Sequence, residues 1–233
     1  MKAIILAAGK GERMKPLTLS KPKPLLMVGG KPILHHIVSA LPEEINELIF
    51  VTGYLGEQIK NYCGNTFLGK KVEYLTQREQ RGTYDALLQC KHLLKPNERF
   101  AVFYGDDLID RRAVEEALSR DLSVICAHAE DPRRFGVVAL KDDGTISHIE
   151  EKPEQPASNL VITSGIILDH RVFNYPPSMH PKSGEYYLTV AISQMAKEHP
   201  VIPIRTPFWM PLGTPEDLSR TEEIMRKNYS NPS

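Results

Sequence analysis

Ala3-Ile4-Ile5-Leu6-Ala7-Ala8-Gly9-Lys10-Gly11-Glu12-Arg13-Met14-Lys15-Pro16-Leu17 opens the chain, and Lys21-Pro22-Lys23-Pro24-Leu25 follows it. The apolar run without polar alternation reads as a buried strand, of the kind found inside parallel sheets. It breaks at Gly9 and Gly11, whose missing Cβ atoms let backbone N–H groups approach an anion closely. Arg13, Lys15, Lys21 and Lys23 add up to four cationic side chains, with Glu12 the one carboxylate among them. Arg suits bidentate phosphate contact and Lys acts as a compact point charge. Taken alone, Gly9-Lys10-Gly11 is equally a solvated loop at a strand end. The basic run continuing to Lys23, stiffened by three prolines, favours a polyphosphate cradle. A Walker A loop is excluded, because no Gly-Lys-Ser/Thr string with the required spacing occurs, and a dinucleotide fingerprint fails at Met14.

Working outward, strand and helix patterns alternate. Strands are expected at Lys2–Ala7, Leu48–Thr52, Val72–Thr76, Phe100–Tyr104 and Leu122–His128, and helices at Ile33–Leu41, Glu57–Cys63, Tyr84–Leu94 and Arg112–Leu118. This repetition predicts an α/β fold with a Rossmann-like, mainly parallel central sheet flanked by helices. From Phe135 the pattern changes. Gly136–Leu140, Ile146–Glu150 and Val161–Leu168 read as strands of a smaller antiparallel lobe, followed by helices at Tyr187–Lys197 and Asp217–Lys227 and a frayed tail, Asn228–Ser233. With no linker or internal repeat, residues 1–233 are expected to form one domain, about 1–130 serving one half of the site and about 131–233 the other.

Composition narrows the function classes. Lys plus Arg total 29 and Asp plus Glu total 29, a zero net charge that argues against broad adhesion to nucleic acid or anionic membrane. Cys63, Cys90 and Cys126 lack metal-ligand spacing and read as small buried hydrophobes. The eight histidines show no ligand or triad spacing. The apolar start is too short for a signal peptide and nothing approaches membrane-spanning length, so a cytoplasmic protein is expected. Gly105-Asp106-Asp107 follows a strand, where doubly wound sheets bind ligands, so a carboxylate there could hold Mg²⁺ or cap the next helix.

Leu6 through Thr18 resembles the signature LAAGxGTRLxPLT of the sugar-1-phosphate nucleotidyltransferases, and Lys21 through Pro32 resembles its KPKPLLPVxGKP. Glu12 replaces the usual Thr or Ser. The resemblance extends over nearly the whole chain. It implies a Mg²⁺-dependent transferase that joins a nucleoside triphosphate to a sugar 1-phosphate, with UTP or dTTP and glucose 1-phosphate favoured. It further implies that Leu6, Ala8, Gly9 and Gly11 bind nucleotide, that Arg13 and Lys23 are catalytic, and that Asp106 holds the metal.

Gln77, five residues before Gly82, matches the family's base-reading pair, with Tyr84 in place of a small residue. Phe135-Gly136-Val137-Val138 resembles YGVV, and Glu150-Glu151-Lys152-Pro153 resembles EEKP. The implied sugar-phosphate site is therefore Gly136, Glu151 and Lys152, with Gly165 against the sugar and Glu185 near its hydroxyls. One departure stands out. The family's WxDxGTP carries the second metal-binding Asp, and here Trp209-Met210-Pro211-Leu212-Gly213-Thr214-Pro215 puts Pro211 in its place. Either Asp106 holds Mg²⁺ with water and phosphates alone, or another acid such as Asp107 substitutes, or the chain is a weakened nucleotide-sugar-binding regulatory subunit. A phosphoamine acceptor is a further option. No hexapeptide repeats follow, so no appended acyltransferase β-helix is expected. Many relatives associate, which leaves homo-oligomers open.

Overall fold

The computed structural model describes residues 1–230. In chain order its strands are β1 (Lys2–Ala7), β2 (Met27–Val28), β3 (Lys31–Pro32), β4 (Glu47–Thr52), β5 (Thr66–Phe67), β6 (Lys70–Thr76), β7 (Phe100–Tyr104), β8 (Asp107–Ile109), β9 (Ser123–His128), β10 (Gly136–Leu140), β11 (Ile146–Glu151), β12 (Leu160–Leu168), β13 (Ile202–Arg205) and β14 (Trp209–Pro211). The helices are α1 (Ile33–Ser39), α2 (Gly56–Cys63), α3 (Thr83–Leu88), α4 (Arg111–Leu118), α5 (Leu188–Met195) and α6 (Pro215–Ser230).

The large sheet runs β11-β10-β12-β7-β1-β4-β6-β5, with β9 against β12 and β13 against β9. Strands β7, β1, β4 and β6 are parallel, in register from Lys2 against Glu47 and Phe100. The expected mainly parallel centre is therefore present, and the antiparallel strands are continuous with it. The junction is β12, nine residues all buried. Its C-terminal end pairs antiparallel with β7 through Ile166–Leu168, while Val161 pairs with Val137 of β10. Two short ribbons, β2–β3 and β8–β14, lie apart from the large sheet.

Alternation along β1 sets the core on both faces. Ala3, Ile5 and Ala7 pack on one side with Phe50, Phe103 and α1, while Ile4 and Leu6 pack on the other with Ile49, Val51 and Val102. Burial on both faces explains why β1, β4 and β7 read as unbroken apolar runs. The expected helix Tyr84–Leu94 is shorter. It divides into α3 and a 3₁₀ turn at Lys91–Leu93, with Leu88 facing solvent and Leu87, Cys90 and Leu94 buried. Helix α6 is longer than expected, beginning at Pro215, a residue suited to the first helical turn. Of the tail, Asn228–Ser230 belong to α6, and 231–233 lie outside the described residues.

The cysteines are buried and free, as expected, and burial pushes the thiols of Cys63, Cys90 and Cys126 up to about 12. No helix among the described residues is long and apolar enough to cross a membrane.

Candidate active site

A cleft of about 420 Å³ opens at the carboxyl ends of β1 and β7 and reaches the start of β10 and the end of β11. Its walls bring together Leu6, Ala8, Gly9, Gly11, Arg13, Lys23, Gln77, Gly82, Asp106, Gly136, Glu151 and Lys152, residues spread over most of the chain.

The loop after β1 is shaped by Gly11. It stands at φ +63°, and a Cβ there would meet Thr18 Cγ2 at 2.9 Å. Thr18 Oγ1 in turn donates to the Gly11 carbonyl at 2.9 Å, closing the loop on itself. Gly9 has open space around it, so its role is to leave the wall bare. The four expected cations divide. Arg13 and Lys23 border the cleft, Lys15 is ion-paired with Glu12, and Lys21 is exposed away from the cleft wall. The charge of Glu12 is thereby neutralised beside the anion cradle. Arg13 makes no salt bridge or hydrogen bond among the described residues, and Lys23 Nζ donates to Asp106 Oδ2 at 2.6 Å.

Asp106 occupies the turn between β7 and β8, and Gly105 there donates to the Leu6 carbonyl at 3.0 Å, tying that turn to β1. Asp110 caps α4, accepting from Arg112 N at 3.3 Å. Asp107 does neither job expected by default, capping or solvation. It is the first residue of β8, only 8% exposed, and borders the cleft. Burial first, and the neighbouring Asp106 second, push its carboxyl well above the usual range. The indole of Trp209 favours the ionised form, yet its buried Nε1 completes no hydrogen bond of normal geometry.

At the end beyond β6, Gln77 is 5% exposed rather than a free loop residue. Its Nε2 donates to the Gly82 carbonyl at 3.1 Å and to Asp85 Oδ2 at 2.7 Å. Both amide hydrogens are thus used, and the carbonyl oxygen is the amide's remaining hydrogen-bonding group. Gly82 is required by space: at φ +95°, a Cβ would lie 2.6 Å from the Tyr186 carbonyl oxygen. Tyr84 points into the core instead of the cleft, so its bulk leaves the cleft walls unaltered.

At the opposite end, Gly136 admits no Cβ either, which would meet Ile162, Ile149 and Thr189 side chains at 2.9–3.1 Å. Thr189 Oγ1 donates to Glu151 Oε2 at 2.7 Å. Burial raises the Glu151 carboxyl against that bond and the nearby Lys152. Lys152, at φ +47°, donates to the Tyr187 hydroxyl at 3.0 Å with its ammonium 4.5 Å from that ring's centroid. Burial would lower the Lys152 pKa, but Tyr187 and Glu151 outweigh it and raise it. Tyr187 itself donates to Ser183 Oγ at 3.0 Å, which contacts His180 Nδ1 at 3.1 Å.

One expected residue is elsewhere. Gly165 does not border the cleft. It sits at φ +91° where β12 shifts register, and a Cβ would collide with Ile125 at 2.5 Å, so it serves the packing of β12 on β9.

Other cleft residues escaped the sequence reading. Arg134 borders the cleft and pairs with Asp217 Oδ2 at 2.9 Å, and Asp217 also accepts from Gly213 N and Thr214 N at the start of α6. Gln80 donates to the Ala8 carbonyl at 3.0 Å, and Tyr187 holds Lys152. Arg134 had a signal, a cation directly before Phe135-Gly136. Gln80 had none.

Comparison with known proteins bears on the family and the fold. Residues 2–228 match the family model described as nucleotidyl transferase. The bifunctional protein GlmU of Methanocaldococcus jannaschii is 36% identical over 227 residues, covering 97% of this chain and 54% of that protein. The chain thus spans about half the length of such relatives. The UTP–glucose-1-phosphate uridylyltransferase AglF of Haloferax volcanii is 33% identical, with 97% of both chains covered. A solved UDP-glucose pyrophosphorylase complexed with UDP-glucose superposes with a TM-score of 0.84 over 98% of both chains at 22% identity, which speaks for the fold.

Proposed function

The chain belongs to the nucleotidyl transferase family, and we propose that it joins UTP or dTTP to a sugar 1-phosphate, glucose 1-phosphate first among them, releasing pyrophosphate. The observation that carries this reading is the disposition of charge. A spare Arg13 and a Lys23 linked to Asp106 lie at the glycine-loop end of the cleft, and Lys152 lies at the other. Two anionic substrates can therefore meet end to end between them. The 33% identity to AglF over 97% of both chains supports the same substrate pair.

An oxygen of the sugar 1-phosphate attacks the α-phosphorus in line. The new P–O bond forms as the bond to the β-bridging oxygen breaks, and pyrophosphate takes that electron pair. Such transfers depend on positioning and on neutralising charge rather than on a covalent intermediate. The Gly9–Gly11 amides and Arg13 hold the β- and γ-phosphates and stabilise the departing pyrophosphate. Lys23, released from Asp106, answers the α-phosphate. Lys152 fixes the nucleophilic phosphate, and Glu151, held by Thr189, accepts from sugar hydroxyls. The Gln77 carbonyl oxygen accepts from an imino N–H, which uracil and thymine carry at N3. The donor set fits Mg²⁺, which takes one or two carboxylates plus water and phosphate oxygens, and Asp106 would hold it. When bound, that ion would supply charge neutralisation at the reacting phosphates.

Pro211 favours a second reading, a nucleotide-sugar binder without turnover. Pyrophosphate release measured with UTP, dTTP, CTP, GTP and ATP against a panel of sugar 1-phosphates separates the two. Fastest release with UTP or dTTP and glucose 1-phosphate is expected. Tight UDP-glucose binding with no release for any pair overturns the transferase reading.

A further inference from the structure

The proposed metal site lacks the carboxylate that the resemblance would put at position 211, and the sheet register shows where another one stands. In the β8–β14 ribbon, Pro211 is the direct cross-strand partner of Asp107. Side chains of such partners lie on the same face of the ribbon with Cβ atoms about 5 Å apart. A carboxylate at 107 thus stands one strand spacing from one at 211. The Leu212 N–H donates to the Asp106 carbonyl at 2.9 Å, so this ribbon is fastened beside the other acid. Asp106 precedes β8 in a turn, which frees the two neighbours from strict strand alternation, and both border the cleft. Asp107 is 8% exposed, with the Trp209 indole and the Ser164 backbone as its polar contacts, and Lys23, paired directly with Asp106, reaches it only through space. A buried carboxylate without a direct ion pair is costly, and an asparagine would serve a purely structural need at lower cost.

We infer that Asp107 supplies the second carboxylate for the divalent cation, taking over across the ribbon the place that Pro211 has vacated. The inference rests on the transferase reading and deepens its site. It makes position 107 and position 211 interchangeable hosts for one charge, provided that only one of them carries it.

The test is Mn²⁺ binding to the full chain, followed by electron paramagnetic resonance of the free ion, for wild type, Asp106→Asn, Asp107→Asn and the double variant Asp107→Asn/Pro211→Asp. Asp107→Asn is expected to weaken Mn²⁺ binding by about tenfold or more, the scale on which metal sites respond to lost ligand-shell groups, and Pro211→Asp is expected to restore it. Wild-type affinity in Asp107→Asn overturns the inference, as does a loss that Pro211→Asp leaves unrepaired. If Asp106→Asn loses Mn²⁺ while Asp107→Asn keeps it, only this inference falls. If Asp106→Asn also keeps it, the metal reading of the cleft falls with it. Melting temperatures check folding, and Asp107→Ser carries the same test should the asparagine variant not fold.

Discussion

The two ends of the cleft handle charge in opposite ways. At the Gly9–Lys23 end, the loop is set by backbone geometry, with Gly11 at φ +63° closed by Thr18, and Arg13 is left without a partner among the described residues. At the Glu151–Lys152 end, every functional side chain is already engaged: Glu151 by Thr189, Lys152 by Tyr187, and Tyr187 by Ser183. The first end keeps Arg13 spare for an incoming ligand while Lys23 is paired with Asp106, and the second fixes all of these groups in advance. A triphosphate brings enough charge to organise an unpaired arginine, whereas a sugar's weak hydroxyl contacts gain from acceptors held in place beforehand.

The largest expected effect lies at the first end. Arg13→Ala should lower kcat by at least about tenfold, and up to the 10²–10³ typical of lost transition-state donors. The melting temperature should be unchanged, because Arg13 holds nothing else. Lys23→Ala should slow turnover comparably. Steady-state kinetics alongside thermal melts check both, and a stability loss with Arg13→Ala would break the contrast. Next comes the pair Gly11→Ala and Gly9→Ala. The first forces a Cβ into Thr18 at positive φ and should cost about 1–3 kcal/mol of stability. The second meets open space, should stay within about 0.5 kcal/mol, and is expected to act on triphosphate KM alone.

At the second end, Tyr187→Phe removes one hydrogen bond from Lys152. It should raise KM for the sugar phosphate about fivefold, the equivalent of ~1 kcal/mol, with KM for the nucleotide unmoved. Equal shifts in both would show that the two ends are not separately built.

An effect on stability alone concerns Asp217, which anchors Arg134 and the start of α6. Burial works against its ionised form, but the Arg134 bond and the Thr214 contacts hold its carboxyl below the usual range. Its stabilisation is therefore present above the unfolded value near 4 and is lost as pH falls through the lower folded one. Asp217→Ala should cost about 1 kcal/mol at neutral pH, and denaturation curves of the two proteins should converge on acidification below pH ~4.

The same contrast explains what could be read from the sequence. The loop from Leu6 to Lys23 is contiguous, and β1, β4 and β7 are apolar runs because both faces are buried, so that end was legible in one pass. For Asp106 the strand end left metal binding and helix capping both open, and the resemblance selected it as a residue of the cleft that it does border. The β8–β14 ribbon was not legible: its strands are three residues each, about a hundred residues apart, and neither alternates. The ion pair of Arg134 was not legible either, because its partner Asp217 lies 83 residues further along the chain. Gly165 was placed by resemblance to a motif, but its positive φ answers a register shift in β12 and the crowding of Ile125.

Gly82 joins the two ends. Its turn is stitched to the 184–187 segment by Tyr186 N–H to the Arg81 carbonyl at 2.7 Å and Tyr84 N–H to the Tyr186 carbonyl at 2.9 Å. The same segment carries Tyr187 and Glu185 to the far wall. On the proposed function, base choice and sugar choice therefore share one hinge pin. A lineage or an engineer that reshapes residues 184–187 to admit a new sugar would also displace the turn proposed to face the nucleobase, so the two preferences should drift together rather than evolve as separate dials.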